Sequence, residues 1–546
     1  MTPFENEVDE LLSEAEALLQ EEKPVEALNI LDRAWTLSPN HSWTMLFRGV
    51  ALGQLGRLEE AIDQLLAAAD GSPSDIDVQV DSARYLTMLE QHQDALVCAN
   101  RAVALDDMDA GAHAVHAEVL ERLGRIAEAI PSREHALLLD AEDMDSRYYL
   151  AVDLCDLARY DEAFALADAL YAEFPDDEDI VRLHGACLSY LGRHEAALSR
   201  WAELERVEGV TPNLLHNRAS TLDALGLFDE ALATLNDAID LEPAMAANYF
   251  TRAMIHEHRD DYTAAIDDYL SALAFDADHL DAVINLVEVA PLVDATSSVL
   301  ERINLLLKAD ANSAKLHYAR GRLLMELDEL LEGKLAIEDA LGREPALGVA
   351  WYTLSMLNGL QGEYADAVSA ADRALLDFPD DYGLWLNKGQ SYHEMHQHRE
   401  ALDSYDRATT LAPDDWLAWM HMGRLFLLDL ERPADARGVL QEALRLSPGN
   451  EHIVWLLSLC LLRLGRNDEA ERHLTHLLQE FPNHLWGHLV RAALSAQRGQ
   501  LDEAFADLAI VTKQRYDLRL LVNEPLFAPL WPDPRFAETV GQGDTD

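Results

Sequence analysis

The side chains with the most potential for chemistry in this sequence are histidines that lie close together. His393, His396 and His398 fall within the segment YHEMHQH, and His256 and His258 stand two residues apart in IHEHRD. Imidazole nitrogens are common zinc ligands, and His393 and His396 could share one helical face beside an acidic residue. The segment is not the HExxH motif, however, and polar residues are ordinary at the end of a helix and in the turn after it. We therefore favour a solvated turn, with a metal site as the alternative.

No other motif points to catalysis. The sequence has no glycine-rich phosphate loop, no GxSxG motif and no cysteine spacing typical of zinc sites. Pairs of carboxylates are expected by chance in a chain with 99 acidic residues. The cysteines are widely separated and are interpreted as buried, reduced thiols: Cys98, Cys155, Cys187 and Cys460. We predict a protein that is not an enzyme and that uses no cofactor and no metal.

The elements that must position any functional side chain follow from a repeat of 34 residues. Val299 and Gly333 occupy two of the fifteen slots, and alanine occupies the other thirteen. One residue is inserted between Ala401 and Ala436, near residues 431–433, where we expect it to lengthen a turn. A fixed period of this length indicates stacked supersecondary units. The alanines are Ala27, Ala61, Ala95, Ala129, Ala163, Ala197, Ala231, Ala265, Ala367, Ala401, Ala436, Ala470 and Ala504.

Each unit reads as two helices joined by a short turn. Small residues occupy the eighth position of almost every unit, and helices approach closely only where side chains are small. We therefore expect this column to face the alanine column. Glycine is frequent just after the first helix, where a left-handed residue can end it. Proline is frequent after the second helix, because it cannot donate the next backbone hydrogen bond.

These positions resemble the tetratricopeptide repeat, which has a small residue at eight, alanine at twenty, a small residue near twenty-seven and proline at thirty-two. Trp351, Trp385 and Trp419 match the family's aromatic residue at position four, where we expect them to be structural. The resemblance covers about residues 8–517, or fifteen units. It implies an all-α, right-handed superhelical solenoid of helix–turn–helix repeats.

The repeat is irregular in the ninth unit, residues 280–313, where Pro291 falls within the first helix and Val299 replaces alanine. Proline should end or kink that helix. We expect a bend here, between an acidic amino-terminal arm of residues 1–279 and a carboxy-terminal arm of residues 314–517. A tolerated defect without motion is the alternative.

Residues 518–546 follow the last repeat and form a predicted capping segment and tail. A terminal repeat would otherwise expose its core-facing side. A docking peptide for another protein is the alternative. The residues expected to cover the last helix pair are Leu526, Phe527, Leu530, Trp531 and Phe536.

The net charge of −57, from 99 acidic and 42 basic residues, argues against nucleic acid and membrane partners, since both require clustered cations. With no apolar run of 18 residues and no signal-peptide pattern, we expect a cytoplasmic protein. Residues 1–384 hold 75 acids and 26 bases, and residues 385–546 hold 24 and 16, giving −49 and −8. A solvated surface or a salty cytoplasm would explain this charge. Attraction of a basic partner is the alternative.

By the same resemblance, positions two, five, nine, twelve and thirteen of the first helices line a concave groove. Positions five of the last six units are apolar or aromatic, and arginines stand among the ninth positions. Such a composition is common at the centre of an interface, although packing within the repeats is the alternative. Arg322 and Arg424 would donate to carboxylates or carbonyls of a partner. The predicted contacts are Tyr318, Arg322, Tyr352, Met356, Leu386, Met420, Arg424 and Trp455.

The resemblance implies a non-catalytic scaffold or adaptor that binds a peptide segment of a partner protein in this groove. One alternative is an acidic, chaperone-like holder of a basic or aggregation-prone client. Another is a regulatory sensor that closes about the ninth unit when a ligand binds. The Lys–Asn clamp for chaperone tails is not matched, since Lys315 is the only lysine at a predicted inner position. The sequence does not predict the oligomeric state.

Overall fold

The computed structural model describes residues 3–514, 516 and 518–541, which are almost entirely helical and contain no β-strand. The chain divides into two compact units, Met1–Arg259 and Asp260–Asp546. In each unit, consecutive helices pack as hairpins and each hairpin packs on the next. The prediction of an all-α solenoid is confirmed. The predicted bend in the ninth unit stays a prediction.

The helices of the first unit have nearly uniform lengths, as the fixed period requires. They are α1 (Pro3–Gln20), α2 (Pro24–Leu37), α3 (Ser42–Gln54), α4 (Leu58–Gly71), α5 (Ile76–Met88), α6 (His92–Leu105), α7 (Ala110–Arg122), α8 (Ile126–Leu139), α9 (Met144–Asp156), α10 (Tyr160–Glu173), α11 (Glu178–Tyr190), α12 (His194–Val207), α13 (Pro212–Ala224), α14 (Phe228–Leu241) and α15 (Ala246–His258).

The second unit continues the pattern and ends in shorter elements. Its helices are α16 (Tyr262–Phe275), α17 (Leu280–Leu292), α18 (Thr296–Ala309), α19 (Ala314–Glu326), α20 (Leu330–Arg343), α21 (Gly348–Leu360), α22 (Tyr364–Asp377), α23 (Tyr382–Glu394), α24 (His398–Leu411), α25 (Trp416–Arg424), α26 (Pro433–Leu446), α27 (Glu451–Arg463), α28 (Asn467–Glu480), α29 (Leu485–Gln497), α30 (Leu501–Lys513) and α31 (Pro534–Gly541). A π-helical turn (Leu425–Asp429) follows α25, and 3-10 helices (Leu518–Asn523 and Pro525–Leu530) precede α31.

The two small-residue columns bring the helices of each hairpin into contact. All thirteen alanines of the column are 0% exposed. The Ser355 hydroxyl at position eight donates to the Ala367 carbonyl at 2.8 Å. A Cβ placed on Gly49 would lie 3.2 Å from the Ala61 carbonyl and 2.7 Å from the Leu65 side chain. The prediction that these columns face each other is confirmed.

In several units, position four links the hairpin to the preceding one through a hydrogen bond to a backbone carbonyl. The indole N–H groups of Trp351 and Trp385 donate to the carbonyls of Pro345 and Pro379, at 2.8 and 3.0 Å. His488 makes the same bond through Nε2, at 2.9 Å from the Pro482 carbonyl. Chemically different rings therefore serve one structural role here, because each of them donates to the carbonyl six residues earlier in the chain.

The turn inside every hairpin contains a residue with positive φ. Seven of these residues are glycines with φ between 71° and 78°, as predicted for Gly56 and its equivalents. The other eight, with φ between 52° and 62°, carry side chains, and Ala158 at 58° is the only alanine among them. L-residues pay a steric cost in this conformation. These eight are Glu22, Glu90, Ala158, Asp260, Asp294, Asp328, His396 and Glu431.

The two predicted irregularities have different structural outcomes. Helix α17 ends at Leu292, one residue after Pro291. Its length of 13 residues equals that of α19. The inserted residue near 431–433 does not lengthen a turn, and that prediction was wrong. Instead, α25 passes directly into the π-helical turn, and the following turn keeps its three residues, 430–432. An additional residue in a helix is accommodated by widening one turn of it.

Most of the residues predicted to cover the last helix pair lie against it. Phe527, Leu530 and Phe536 are buried in one cluster with the core of the last hairpins, and Leu526 packs against that cluster. Trp531 is 45% exposed, and the assignment of residues 518–541 as a cap stays a prediction, while residues 542–546 lie outside the described residues.

Replacing Ala158 with glycine should stabilise the first unit. Glycine avoids the left-handed penalty of about 1–2 kcal/mol, and its greater freedom in the unfolded chain offsets part of the gain. We expect the free energy of unfolding to rise by roughly 0.5–1 kcal/mol in urea titrations followed by circular dichroism. Ala165→Gly, at an exposed position within α10, is the control and should lower it by about 1 kcal/mol. Equal destabilisation by both variants would contradict the steric origin of the effect.

Candidate functional site

Two cavities open beside the first helices of the last repeats, and Arg424 lines both of them. The first cavity has a volume of about 560 Å³ and is also lined by Tyr352, Met356 and Leu386. The second has a volume of about 410 Å³ and includes Trp455 in its lining. Five of the eight predicted contact residues therefore line this pair of adjoining cavities, which we name the carboxy-terminal groove.

The structure does not bring the other three predicted residues to these cavities. Tyr318 is only 3% exposed, so it has little surface for a partner. The Arg322 side chain is 20% exposed and lies 3.8 Å from the Glu326 carboxylate. Met420 is partly buried and packs against the core of the last hairpins.

In the first cavity, Tyr352 lies across the next hairpin because Gly383 has no side chain. A Cβ placed on Gly383 would collide with the Tyr352 hydroxyl. Burial raises the pKa of Tyr352, and the nearby Asp381 carboxylate adds to this effect, so the phenol stays protonated. Beyond this ring, Asn387 completes the polar part of the wall and donates to the Ser355 hydroxyl at 2.7 Å.

A chain of polar contacts fixes the orientation of His393 beside the groove. Arg424 Nη2 lies 3.3 Å from His393 Nδ1, and His393 Nε2 lies 3.0 Å from Asp429 Oδ2. Because a guanidinium can only donate, Nδ1 accepts and Nε2–H donates to the carboxylate. Burial lowers the pKa of His393 and the Arg424 charge lowers it further, while Asp429 acts in the opposite direction. The π-helical turn is the element that carries Asp429.

His421 is a neutral residue in the same wall. Its ring stacks on Tyr405 with 5.8 Å between centroids, and its Nε2 lies 2.9 Å from the Gln390 amide nitrogen. Burial lowers the pKa of His421 to about 3, and the charge of Arg424 contributes to the shift. Arg424 is therefore the cationic side chain that this cavity presents at neutral pH.

The second cavity has an aromatic wall. Trp455 and Trp486 stack with 5.4 Å between their ring centroids, and Trp486 meets Tyr516 edge-on at 5.4 Å. The Trp455 indole nitrogen is buried and has no hydrogen-bond partner. The capping segment supplies the opposite wall through Leu521 and Phe527.

Charged groups border the aromatic wall. Arg463 and Glu524 line the second cavity together with Arg424. Arg463 donates to the Leu427 carbonyl at 2.7 Å and lies 3.7 Å from the Glu524 carboxylate. Arg424 lies 3.7 Å from the Glu394 carboxylate, and 36% of its side chain is exposed, compared with 23% for Arg463.

Some residues of the groove were missed because the sequence-based choice used only positions five and nine. Trp486 at position two and Arg463 at position thirteen obey the same inner-position rule and could have been found with it. Leu521 and Phe527 could not, since the capping segment lies outside the repeat.

The histidine segment does not assemble into a metal centre. Over residues 3–514, 516 and 518–541, no group of three or more His, Cys, Asp or Glu side chains is arranged to hold a metal ion. The rings of His396 and His398 meet edge-on, with 6.0 Å between centroids. Within the same ranges, no helix combines the length and the apolarity that a membrane span requires.

Family models agree with the geometry of the hairpins. One tetratricopeptide repeat model matches residues 18–83 and 427–493, and a second matches residues 216–279, 361–395 and 386–451. The chain is a tetratricopeptide repeat protein. Proteins built from this repeat generally serve as protein-interaction scaffolds, and the groove described above lies on the scaffold's first helices.

Solved structures of other proteins are similar at low sequence identity. A crystal structure of the APC/C hetero-tetramer Cut9–Hcn1 has 15% identity and a TM-score of 0.38, over 83% of this chain and 96% of that one. A tetratricopeptide repeat protein from Parabacteroides merdae has 18% identity and a TM-score of 0.33, over 46% of this chain and 98% of that one. No curated protein sequence gives a significant match.

We expect His421 of this tetratricopeptide repeat protein to remain neutral between pH 8 and about pH 5, since its pKa lies near 3. NMR of imidazole-labelled protein, assigned with His421→Asn, would measure this. Arg424→Gln should raise the pKa of His421, because it removes a cation, but burial should still hold it below the ordinary value of about 6.5. If His421 in the parent protein titrates with a midpoint at or above about 6.5, its side chain is not buried as described.

Proposed function

We propose that this tetratricopeptide repeat protein is a non-catalytic scaffold or adaptor that holds a peptide segment of a partner protein in the carboxy-terminal groove. The observation that carries the proposal is the junction of two largely apolar cavities at one exposed arginine, Arg424. This arrangement suits an extended segment with an apolar side chain for each cavity and a carboxylate between them.

The aromatic wall supports this chemistry in two ways. Trp455 and Trp486 offer large rigid surfaces, which contribute strongly to binding when a partner covers them. The Trp455 indole N–H also lacks an acceptor. A buried donor without a partner costs about 1–3 kcal/mol, so a segment that places a backbone carbonyl there would recover part of that free energy.

The local charge is compatible with an acidic group in the partner segment, because two arginines match the two glutamates that line the groove, Glu394 and Glu524. Arg424 and Arg463 border the groove in a chain whose net charge is −57, and residues 385–546 carry only −8 of it. An exposed guanidinium can bind a carboxylate with two parallel hydrogen bonds. We therefore propose a protein partner, and continue to predict a cytoplasmic location without nucleic acid or membrane contacts.

A second candidate function is the holding of a basic client by the first unit. A cavity of about 660 Å³ between α1, α3 and α5 places Asp9, Glu16 and Asp81 beside Trp43 and Phe47. Carboxylates next to aromatic faces suit a cationic side chain. Binding there should weaken strongly with salt, because exposed charges are screened beyond about 10 Å at ordinary ionic strength.

The double variant Tyr352→Ala/Trp455→Ala tests the carboxy-terminal groove. Capture of partners from the native cell extract, followed by quantitative mass spectrometry, should show at least a ten-fold loss that persists at high salt, because both aromatic anchors are removed. Trp531→Ala is the matched control, since this tryptophan is exposed and lines neither cavity. A partner that ignores the double variant but leaves with salt would move the function to the acidic first unit.

Gly383→Ala gives an independent test without shortening an aromatic side chain. The added methyl group should displace the Tyr352 ring and weaken partner capture several-fold, while the thermal stability stays near that of the parent. Gly438→Ala is the control, because a Cβ there meets no atom within 4 Å. If Gly383→Ala captures the partner as well as the parent does, binding does not depend on the position of the Tyr352 ring.

A further inference from the structure

We propose that α7 and α9 of the first unit form a binding site, centred on Asp153, for the arginine or lysine side chain of a basic polypeptide. This site is separate from the carboxy-terminal groove and does not depend on the function proposed for it. Nothing in the sequence singled out Asp153, since paired carboxylates are common throughout this chain.

The site is an open cavity of about 750 Å³ with a buried acceptor in its wall. Asp153 lines this cavity and is only 3% exposed. Its Oδ2 atom is buried and has no hydrogen-bond partner. Buried polar atoms are nearly always hydrogen-bonded, so this oxygen, which has the Arg133 guanidinium at 3.6 Å, can accept a further donor.

The charges around Asp153 do not balance within the cluster. The buried guanidinium of Arg133 donates to Glu121, with 3.0 Å from Nε to Oε1. The same Nε lies 3.6 Å from Asp153 Oδ2, so one cation serves two carboxylates. Burial and the Glu121 carboxylate raise the pKa of Asp153 to about 7, even with Arg133 beside it. A second cation would favour the ionised form of Asp153, because it would offset the charge of Glu121.

The rim of the cavity favours the same ligand. Six acidic and three basic side chains line it, and Glu118, Asp145 and Asp156 are among the acids. The Arg133 guanidinium lies over the Tyr149 ring, 5.2 Å from its centroid. Tyr149 is nevertheless 47% exposed. A further cation could therefore contact both a carboxylate and an aromatic edge or face.

The apolar part of the lining decides between a polypeptide side chain and a small free cation. Val115, Ile126 and Val152 line the cavity together with the acids. Arginine and lysine bury their methylene stems against such surfaces while the charged head binds an acceptor. The acidic field of residues 1–384, at −49, would also attract a basic segment over a long range.

The test uses the full chain and a fluorescein-labelled, acetylated peptide of alternating arginine and glycine, with affinity measured by anisotropy at physiological salt. We expect Asp153→Asn to weaken binding by about ten-fold or more, since a charge-assisted hydrogen bond is lost. Asp237→Asn, at an exposed position of α14, removes the same charge and should change affinity by less than about two-fold. Equal effects of the two variants, or no effect of Asp153→Asn, would overturn the site.

Two more variants and a competitor make the test specific to this cavity. Glu118→Gln at the rim should weaken binding by about two- to five-fold, and it keeps the test valid if Asp153→Asn unfolds the hairpin. The variant Tyr352→Ala/Trp455→Ala should bind the arginine peptide like the parent, which separates this site from the carboxy-terminal groove. Displacement of the peptide by equimolar spermidine would overturn the assignment to a polypeptide side chain and point to a free polyamine.

Discussion

The close contact between the two helices of each hairpin is the constraint on which the rest of this structure depends. An alanine in the second helix meets a small residue in the first in most units, and in the ninth unit Val287 and Val299 are buried at these two positions. Where a larger residue does pack nearby, as Trp201 does against Gly185, the other partner has no side chain at all. Because this contact recurs every 34 residues, it sets which faces of the first helices remain open, and both proposed sites lie on those faces.

The two sites use opposite chemistry on the same scaffold. The carboxy-terminal groove combines aromatic rings with an exposed arginine, while the cavity at Asp153 combines carboxylates with an internal arginine. In the groove, Arg424 is partly exposed and can bind a ligand. In the cavity at Asp153, Arg133 is buried and pairs with carboxylates of the protein. A repeated backbone can thus present different recognition properties, because the side chains at the inner positions that line the cavities differ from unit to unit.

The fold could be predicted from the sequence because packing leaves a strong periodic signal. Alanine at position twenty and glycine in the turns gave the hairpins and their boundaries. The groove was predictable only in part. Met356 and Trp455 line cavities as their positions implied, but Tyr318 is buried, since whether position five is covered depends on the neighbouring hairpin. The walls formed by the capping segment have no period from which they could be derived.

The π-helical turn could not be located from the sequence either. The slip in register lies between Ala401 and Ala436, and it does not show whether the additional residue enters a helix or a turn. Fourteen other hairpins stack without an extra residue, so stacking does not require it. The additional residue rotates the following residues about the helix axis. This rotation brings the Asp429 carboxylate to the His393 imidazole. The additional residue thus acts as a local phase shift. A perfectly regular version of this repeat would keep its fold and lose the carboxylate that orients His393 beside the groove.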